Sequence, residues 1–289
     1  MKKYVFIFSV LILIIGSVFI VLKYRPQKVV HSSYISDLNF FTDAYAKGEH
    51  YKEFAGSHVF GGILPHHVTY AGPLIAGFFE GITHQNIDTV ILLSPNHHNA
   101  GNYNISTSEG SWTTIFGNLD TDTHKISQLV HDKAAFISED VFENEHGIYT
   151  ITSFIKMSFP NAKIIPVVIK AYTSKKDCDA LVHSISKLLN DQTIVITSAD
   201  FSHYLTSEEA DAHDKQSLAA IETFNTDSVY DLPDAASVDA PESVYTLMKI
   251  MKLENATNAM LIANTNSAKL TNNLKLKSTV SYITMYFTK

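Results

Sequence analysis

The chain has 289 residues, of which 45% are apolar, and a formal net charge of -7. This is enough material for one large domain with a sizeable core. Residues 1–28 contain five basic side chains and no acidic one, so the remainder has 17 basic and 29 acidic side chains, a net charge of -12. An acidic domain lacks the basic surface that nucleic-acid binding requires, and we expect no such partner. The single cysteine, Cys178, excludes an internal disulfide and a multi-cysteine metal site.

The first apolar stretch, residues 4–22, has 19 uncharged residues between Lys3 and Lys23, enough to cross a bilayer as one helix. No small-residue cleavage site follows Leu22, so a retained transmembrane anchor is favoured over a cleaved signal peptide. The lipid bilayer is therefore an expected partner, in a single-pass arrangement, and the lysines before the apolar run favour an extracytoplasmic domain. The predicted organisation is an anchor, a polar tether and one domain: residues 1–22, 23–37 and 38–289.

Apolar, β-rich runs alternate with helix-like stretches through most of the domain. The alternation predicts the α/β class, as a single-domain layered α/β sandwich with a mainly parallel or mixed sheet. The uninterrupted apolar runs at 89–93 and 193–198 predict strands that are buried on both faces. Thr206 and Glu209 predict a capping box at the start of the third helix. The expected strands are 59–64, 89–93, 163–169, 193–198, 259–264 and 281–287, and the expected helices are 73–83, 175–189, 207–224 and 241–252.

Histidines and an aspartate follow three of these predicted strands. His66 follows the first, His97 follows the second, and Asp200 with His203 follows the fourth. Because ligands of open α/β sheets bind beyond the carboxyl ends of the strands, we expect these side chains to converge at one edge. Imidazole is a common ligand of transition metals, so two histidines from separate strand ends form a suitable half-site. The alternative is a set of loop histidines held by backbone carbonyls.

Two of the candidate histidines stand in His-His pairs, with His67 and His98 as the second members. Neighbours on an extended chain point in opposite directions, so one member of each pair can bind a metal while the other packs or contacts a substrate. Glu145 and His146 are further candidates for the pocket. Their alternative is a solvated helix start.

Asp200 and His203 are three residues apart, which places them on the same side of a helical turn. A histidine beside a carboxylate and a metal is a natural general base. The alternative is that Asp200 caps a turn after the strand. Both interpretations remain open at this point.

Taken together, these motifs resemble the Memo family, whose bacterial members are called AmmeMemoRadiSam system protein B and which is similar to the catalytic subunits of class III extradiol dioxygenases. The resemblance covers residues 55–289 and implies the dioxygenase-like sandwich, His66 and His97 as metal ligands, and His203 as candidate base. At His67 and Tyr149 the sequence departs from the family motifs, so a family member whose chemistry has changed is an alternative. The matching positions are Pro65, His66, Tyr70 and Gly72; Pro95, Asn96, His97 and His98, where the family has Pro-Ser-His-His; Glu145, His146 and Gly147, where the family has Glu-His-Ser; Ser198, Asp200, Phe201 and His203; and Ser281 and Tyr282.

The resemblance also implies a third ligand. Memo-like proteins often have a cysteine near an Ile-Cys-Gly, and Asp239 falls at that position, where the related dioxygenases use a carboxylate. His66, His97 and Asp239 would form a two-histidine, one-carboxylate site, which favours Fe(II), with copper and zinc as alternative divalent metals. The alternative role for Asp239 is a capping box with Glu242, at a helix that has Pro241 in its first turn.

The predicted function is that of a membrane-anchored, non-haem, metal-binding protein, and in particular an Fe(II)-dependent oxidoreductase of the extradiol-dioxygenase type with an unidentified small-molecule substrate. One alternative is a non-enzymatic metal-binding or redox-protective protein with the same ligands. The other is a metal-dependent hydrolase in which a metal activates a water and a histidine acts as base. The predicted metal ligands are His66, His97 and Asp239, and the predicted catalytic residues are His203, Asp200 and His146.

Overall fold

A computed structural model describes residues 29–52, 56–233 and 236–289. The predicted transmembrane anchor, residues 1–22, lies outside this part of the chain. Within the described residues, no helix is both long enough and apolar enough to cross a membrane.

Strands and helices alternate along the described residues, as the apolar pattern predicts. The strands β1 to β12 are Val30–Ser32, Val59–Leu64, Thr89–Pro95, Ile105–Thr107, Ser111–Thr114, Gly117–Leu119, Phe136–Ile137, Lys163–Ile169, Thr193–Ser198, Phe201–Leu205, Asn258–Asn266 and Thr279–Thr288. The helices α1 to α9 are Leu38–Gly48, Val68–Ile82, Thr123–His131, His146–Ser158, Lys175–Ser186, Ser207–Glu222, Thr226–Tyr230, Pro241–Leu253 and Ser267–Leu270. Short 3-10 helices occupy Glu49–Tyr51 and Glu139–Phe142.

One large mixed sheet forms the middle layer of the domain. Eight of its nine strands follow the order β10-β12-β2-β9-β3-β8-β4-β7, and β11 pairs with β12. The central strands β2, β9, β3 and β8 are parallel to one another. Strands β12 and β4 flank this group and pair with β2 and β8 in antiparallel orientation. The predicted class, a layered α/β fold with a mixed sheet, is confirmed.

The central strands are buried on both faces because successive residues enter opposite cores. On strand β3, Ile91 and Leu93 pack into the core that α5, α6 and α8 cover, and Val90 and Leu92 pack into the core that α1, α2 and α4 cover. This explains the uninterrupted apolar run, since neither face of the strand meets solvent. Complete burial of a side chain of this size contributes about 1.5–3 kcal/mol.

The first residues of helices α6 and α2 determine where these helices begin. The capping box at the start of α6 is confirmed, because Thr206 accepts a hydrogen bond from the backbone N–H of Glu209 and the Glu209 carboxylate accepts one from the backbone N–H of Thr206. Helix α2 begins at Val68, five residues before the predicted start, and Pro73 lies inside it. The earlier start places the first turn of α2 directly after the histidine pair, where the backbone N–H of Ala71 donates to the carbonyl of His67.

The last part of the predicted tether contributes a strand. Strand β1 pairs in parallel with β5, which also pairs with β6, in a separate three-stranded sheet. His31 on β1 is buried, its Nε2 lies 2.9 Å from Oε2 of Glu139, and its ring lies against that of Trp112. Residues 30–32 are therefore packed on the domain, although the sequence pattern groups them with the polar tether.

Helix α4 starts in close contact with strand β3. Gly147 is the second residue of this helix, and a Cβ atom at that position would collide with Oγ of Ser94 on β3. Glycine therefore permits an approach that a larger residue would prevent. The approach brings His146, the first residue of α4, to the carboxyl end of β3.

A buried carboxylate connects helix α6 to two strands of the large sheet. Asp214 on α6 is fully buried, and its Oδ1 accepts hydrogen bonds from Ser202 on β10 at 2.7 Å and from Ser281 on β12 at 2.6 Å. Its Oδ2 accepts no hydrogen bond from any described residue. Burial raises the pKa of Asp214 to about 6, although the two hydroxyl donors act to lower it.

We expect Asp214→Asn to change how stability depends on pH. The carboxyl pKa is raised in the folded state, so stability of the parent falls as the pH rises from about 4 through about 6, by roughly 3 kcal/mol in all. Asparagine does not ionise, so the melting temperature of the variant minus that of the parent should increase between pH 4 and pH 7. Thermal melts measure this difference. The exposed carboxylate in Asp191→Asn is the control, and a difference for Asp214→Asn that is independent of pH would contradict the prediction.

Candidate metal centre

A cavity of about 590 Å³ opens beyond the carboxyl ends of β2, β9 and β3. These strands are adjacent and parallel, so the loops that follow them meet at one edge of the sheet. The cavity wall contains all six of the predicted metal ligands and catalytic residues: His66, His97, His146, Asp200, His203 and Asp239. The structure thus brings together side chains that are separated by up to 173 positions in the sequence.

His66, after β2, is almost completely buried and is held from three directions. Its Nδ1 lies 3.0 Å from Oγ of Ser198, and its backbone N–H donates to Oδ1 of Asp200 at 3.0 Å. These contacts leave Nε2 directed at Oδ2 of Asp239, 3.1 Å away. The serine and the first aspartate therefore orient the ring so that one nitrogen faces the cavity.

His97, after β3, is held in a similar way by Glu145. The glutamate is fully buried, and its carboxylate accepts hydrogen bonds from the backbone N–H groups of His97 and Gly147, both at 2.9 Å. The same carboxylate contacts Nδ1 of His97. The other ring nitrogen, Nε2, lies 3.5 Å from Oδ2 of Asp239. Glu145 therefore orients His97 and caps α4 at once, and the alternative of a solvated helix start is wrong.

Asp239 stands between the two imidazoles. Its Oδ1 accepts a hydrogen bond from the backbone N–H of Asp200 at 3.1 Å, and its Oδ2 is buried without a hydrogen bond from the described residues. Helix α8 has Ala240, and not Asp239, at its N-cap position, with no side-chain cap. The capping-box alternative is therefore wrong, because the aspartate side chain turns toward the cavity and the backbone of Asp200. Pro241 is in the first turn, as expected.

His146 provides a third imidazole beside the first two. Its ring stacks on that of His97, with centroids 3.8 Å apart, and lies edge-on to that of His66, with centroids 5.0 Å apart. Burial and the neighbouring imidazoles lower the pKa of His146 to about 3. The ring is therefore neutral at physiological pH and has lone-pair density available for a cation or a hydrogen-bond donor.

Asp200 and His203 both line the cavity, but the helical turn proposed for them is absent. Residues Phe201–Leu205 form strand β10, which pairs with β12 through two register shifts. Asp200 lies just before this strand, so the alternation of side chains along β10 does not fix its direction relative to His203. Oδ1 of Asp200 accepts a hydrogen bond from the backbone N–H of His66. Nδ1 of His203 is buried without a hydrogen-bond partner among the described residues.

The histidine pairs divide as expected. His67 also lines the cavity, and its Nδ1 lies 3.0 Å from the hydroxyl of Tyr282, against which it packs. His98, the neighbour of His97, is exposed. One member of each pair therefore faces the centre, and the other packs or meets solvent.

Carboxylates dominate the electrostatics of the centre. Burial acts to lower the pKa of His66, but the charges of Asp200 and Asp239 outweigh it and the pKa is raised. Burial likewise opposes protonation of His97, but interactions with Asp239 and Glu145 raise its pKa to about 10. Burial acts to raise the pKa of Asp239, but the two imidazoles hold it well below its usual range. The centre is thus built to hold positive charge.

The residues present fit a divalent cation. Two sets of side chains each offer ligand atoms within 4.8 Å of one another: His66, His97 and His146 in one set, and His66, Asp200 and Asp239 in the other. The buried, unpartnered Oδ2 of Asp239 faces nitrogen atoms of both metal histidines predicted from the sequence. Nitrogen and carboxylate ligands suit iron, zinc or copper. Cys178, the single cysteine, is not among the residues that line the cavity.

Sequence reasoning missed two contributors to this centre. Ser198 is recognisable only as a matched motif residue, because nothing in its neighbourhood predicts a contact with His66. Tyr204 lines the cavity from β10, where its backbone has a positive φ of 62°. A positive φ at a bulky residue has no sequence signal comparable to glycine.

Comparison with known proteins agrees with this geometry. The sequence model of the family described as Memo-like protein matches residues 34–286. A MEMO1 family protein of Desulfurococcus amylolyticus is 29% identical over 201 residues, which cover 66% of this chain and 71% of that protein. A protein of the same description from Caldivirga maquilingensis is 25% identical over 236 residues, which cover 78% of this chain and 82% of the relative. All six candidate site residues fall within the matched range, and the chain belongs to the Memo family.

Proposed function

We propose that this Memo-family protein is a membrane-anchored, non-haem metal protein that holds Fe(II) with His66, His97 and Asp239 and acts as an oxidoreductase on a small molecule. The observation that carries the proposal is Oδ2 of Asp239. This oxygen is buried and lies 3.1 Å and 3.5 Å from Nε2 of the two histidines, so three potential ligand atoms converge on one point. A buried carboxylate needs a compensating positive charge, and a divalent cation shared by the three atoms would supply it in place of the protons on the two imidazoles.

The surrounding residues suit this role. A two-histidine, one-carboxylate ligand set supplies Fe(II) chemistry with open positions for O₂ and a chelating substrate. Ser198 and Glu145 hold the imidazoles at their far nitrogens, which fixes the rings and increases their basicity as ligands. The cavity of about 590 Å³ provides room for a small molecule beside the ligands.

His203 is the proposed general base. It lines the same cavity, and its Nδ1 is buried without a hydrogen-bond partner from the described residues. An acceptor in this position can take a proton from a substrate hydroxyl that reaches it. Asp200 is held by the backbone of His66, so we assign it a positioning role, and His146 is assigned to the neutral imidazole wall beside His97.

Replacing Asp239 tests the ligand set. Asp239→Asn can still accept from the backbone of Asp200, but it brings no negative charge to the metal, so Fe(II) affinity should fall by about tenfold or more. An anaerobic Fe(II) titration against a competing chelator measures the affinity, with Asp43→Asn, an exposed aspartate on α1, as the matched control. Unchanged affinity in Asp239→Asn would remove this residue from the ligands.

Replacing His203 tests the base. His203→Gln should retain most Fe(II) binding and lower turnover by roughly 10²-fold, the usual effect of losing a general base. Oxygen uptake by the iron-loaded protein with catechols as probe substrates measures turnover, and His98→Gln, at an exposed histidine, is the control. Loss of iron from His203→Gln would make this residue a ligand. Iron binding without oxygen uptake by the parent would favour the non-enzymatic metal-binding or redox-protective role, and hydrolysis of ester or phosphate probes without oxygen would favour the hydrolase.

The anchor is a separate part of the proposal. Residues 4–22 have the length and apolarity of one membrane span, and we place the domain on the extracytoplasmic side. A variant that lacks residues 1–22 should move from the membrane fraction to the soluble fraction and retain its iron, because β1 begins only at Val30. Retention of this variant by membranes would contradict the anchor. Loss of iron would show that the deleted segment is needed for the fold.

A further inference from the structure

Four tyrosines line the metal cavity or lie next to residues that line it. Tyr149 and Tyr204 line the cavity. Tyr34 places its ring against that of Tyr149, with centroids 4.8 Å apart. Tyr172 directly follows Ala171, another residue of the cavity wall. These four tyrosines, from four separate segments of the chain, are called the tyrosine rim below.

Three residues of the rim are strongly exposed and have a strained backbone. The exposed fractions of Tyr172, Tyr204 and Tyr34 are 84%, 74% and 59%. Their φ angles are 63°, 62° and 55°, in the left-handed region that bulky residues avoid at a cost of about 1–3 kcal/mol each. Among the described residues, the only other aromatic residue with a positive φ is Phe224, which is buried. Strained, exposed aromatic residues thus occur beside the cavity, and backbone strain of this kind clusters at functional sites.

The chemistry of tyrosine indicates what the rim contacts. Its ring is apolar and its hydroxyl is polar, so tyrosine is favoured at the interfacial layer of a bilayer. The chain next to Tyr34 is also apolar and exposed, at Val29, Val30 and Leu38. No rim residue is acidic, although the domain as a whole has an excess of acidic side chains.

The sequence before β1 keeps this surface close to a membrane. Only residues 23–29 separate the apolar segment 4–22 from β1, and seven extended residues span at most roughly 25 Å. Strand β1 is itself fixed by pairing with β5 and by the buried His31. Tyr34 comes two residues after β1, so the rim begins a short distance from the point where the chain would leave the bilayer.

Resting on the proposed anchor, we propose that the tyrosine rim lies in the interfacial layer of the same bilayer and that the cavity opens toward the lipid. The substrates of the metal centre would then be amphipathic small molecules that partition into this layer. Such molecules would reach the cavity from the membrane surface and not from bulk water.

Site-specific fluorescent labels test the orientation. Cys178 is the only native cysteine and is fully buried, so an introduced surface cysteine can be labelled selectively. Tyr172→Cys and Tyr204→Cys would each be made in the full chain, labelled and reconstituted into phosphatidylcholine vesicles. Leu253→Cys is the matched control, because Leu253 is 57% exposed at the far end of α8. That helix begins beside the cavity and has 13 residues, so its end lies about 20 Å away.

A quencher attached to the lipid close to the headgroup should reduce the emission of both rim labels by about half or more, since the interfacial layer would surround them. The label at Leu253 should respond to a water-soluble quencher instead. Equal lipid quenching at all three positions, or quenching only at Leu253, would overturn the proposed orientation. Rim labels that are shielded from both quenchers would indicate that a second copy covers the rim, which would also overturn it.

Two further measurements separate this inference from the proposals on which it rests. Vesicle flotation of the full chain, with the variant lacking residues 1–22 as control, tests the anchor. If the chain floats but the lipid quencher does not reduce the emission of the rim labels, the orientation alone is disproved. If the chain does not float, both the anchor and the orientation are disproved. Fe(II) titration of the unlabelled full chain tests the metal centre independently of either result.

Discussion

The carboxylate of Asp239 is buried between the imidazoles of His66 and His97, and the rest of the centre depends on how its charge is balanced. An isolated ion in such a place is strongly destabilising, so a compensating positive charge must be close. The protein supplies it by raising the pKa of both histidines. Glu145 and Ser198 then hold the far nitrogens, so the near nitrogens cannot turn away. A divalent cation at this point would take over the same electrostatic role.

Much of this arrangement can be predicted from the sequence, because the relevant signals are local. The apolar runs at 59–64, 163–169 and 193–198 coincide with β2, β8 and β9, since strands covered on both faces need apolar residues at every position. Polar residues such as His66 and His97 then stand out where these runs end. The known preference of α/β sheets for binding at strand carboxyl ends brings them together without further information.

The remaining features depend on tertiary contacts that leave little trace in the sequence. Strands β4, β5 and β6 are short and rich in serine, threonine and glycine, so no apolar run announces them. Asp200 and His203 have helical spacing, yet pairing with β12 makes this segment a strand. Asp239 and Glu242 have the spacing of a capping box, yet the charge of two imidazoles and the backbone of Asp200 draw the aspartate elsewhere. In each case a distant partner overrides a local preference.

The contact between Ser94 and Gly147 limits the order in which these two positions can be substituted. The Memo motifs to which the sequence is similar have serine at the position of Gly147, but a side chain there would collide with Oγ of Ser94. The two positions are therefore coupled: serine at 147 requires the hydroxyl of Ser94 to rotate away or to be lost. Replacing Gly147 first would create a clash beside His97 and His146, whereas replacing Ser94 first would not. An attempt to restore the family motif in this chain should accordingly begin on the strand and not on the helix.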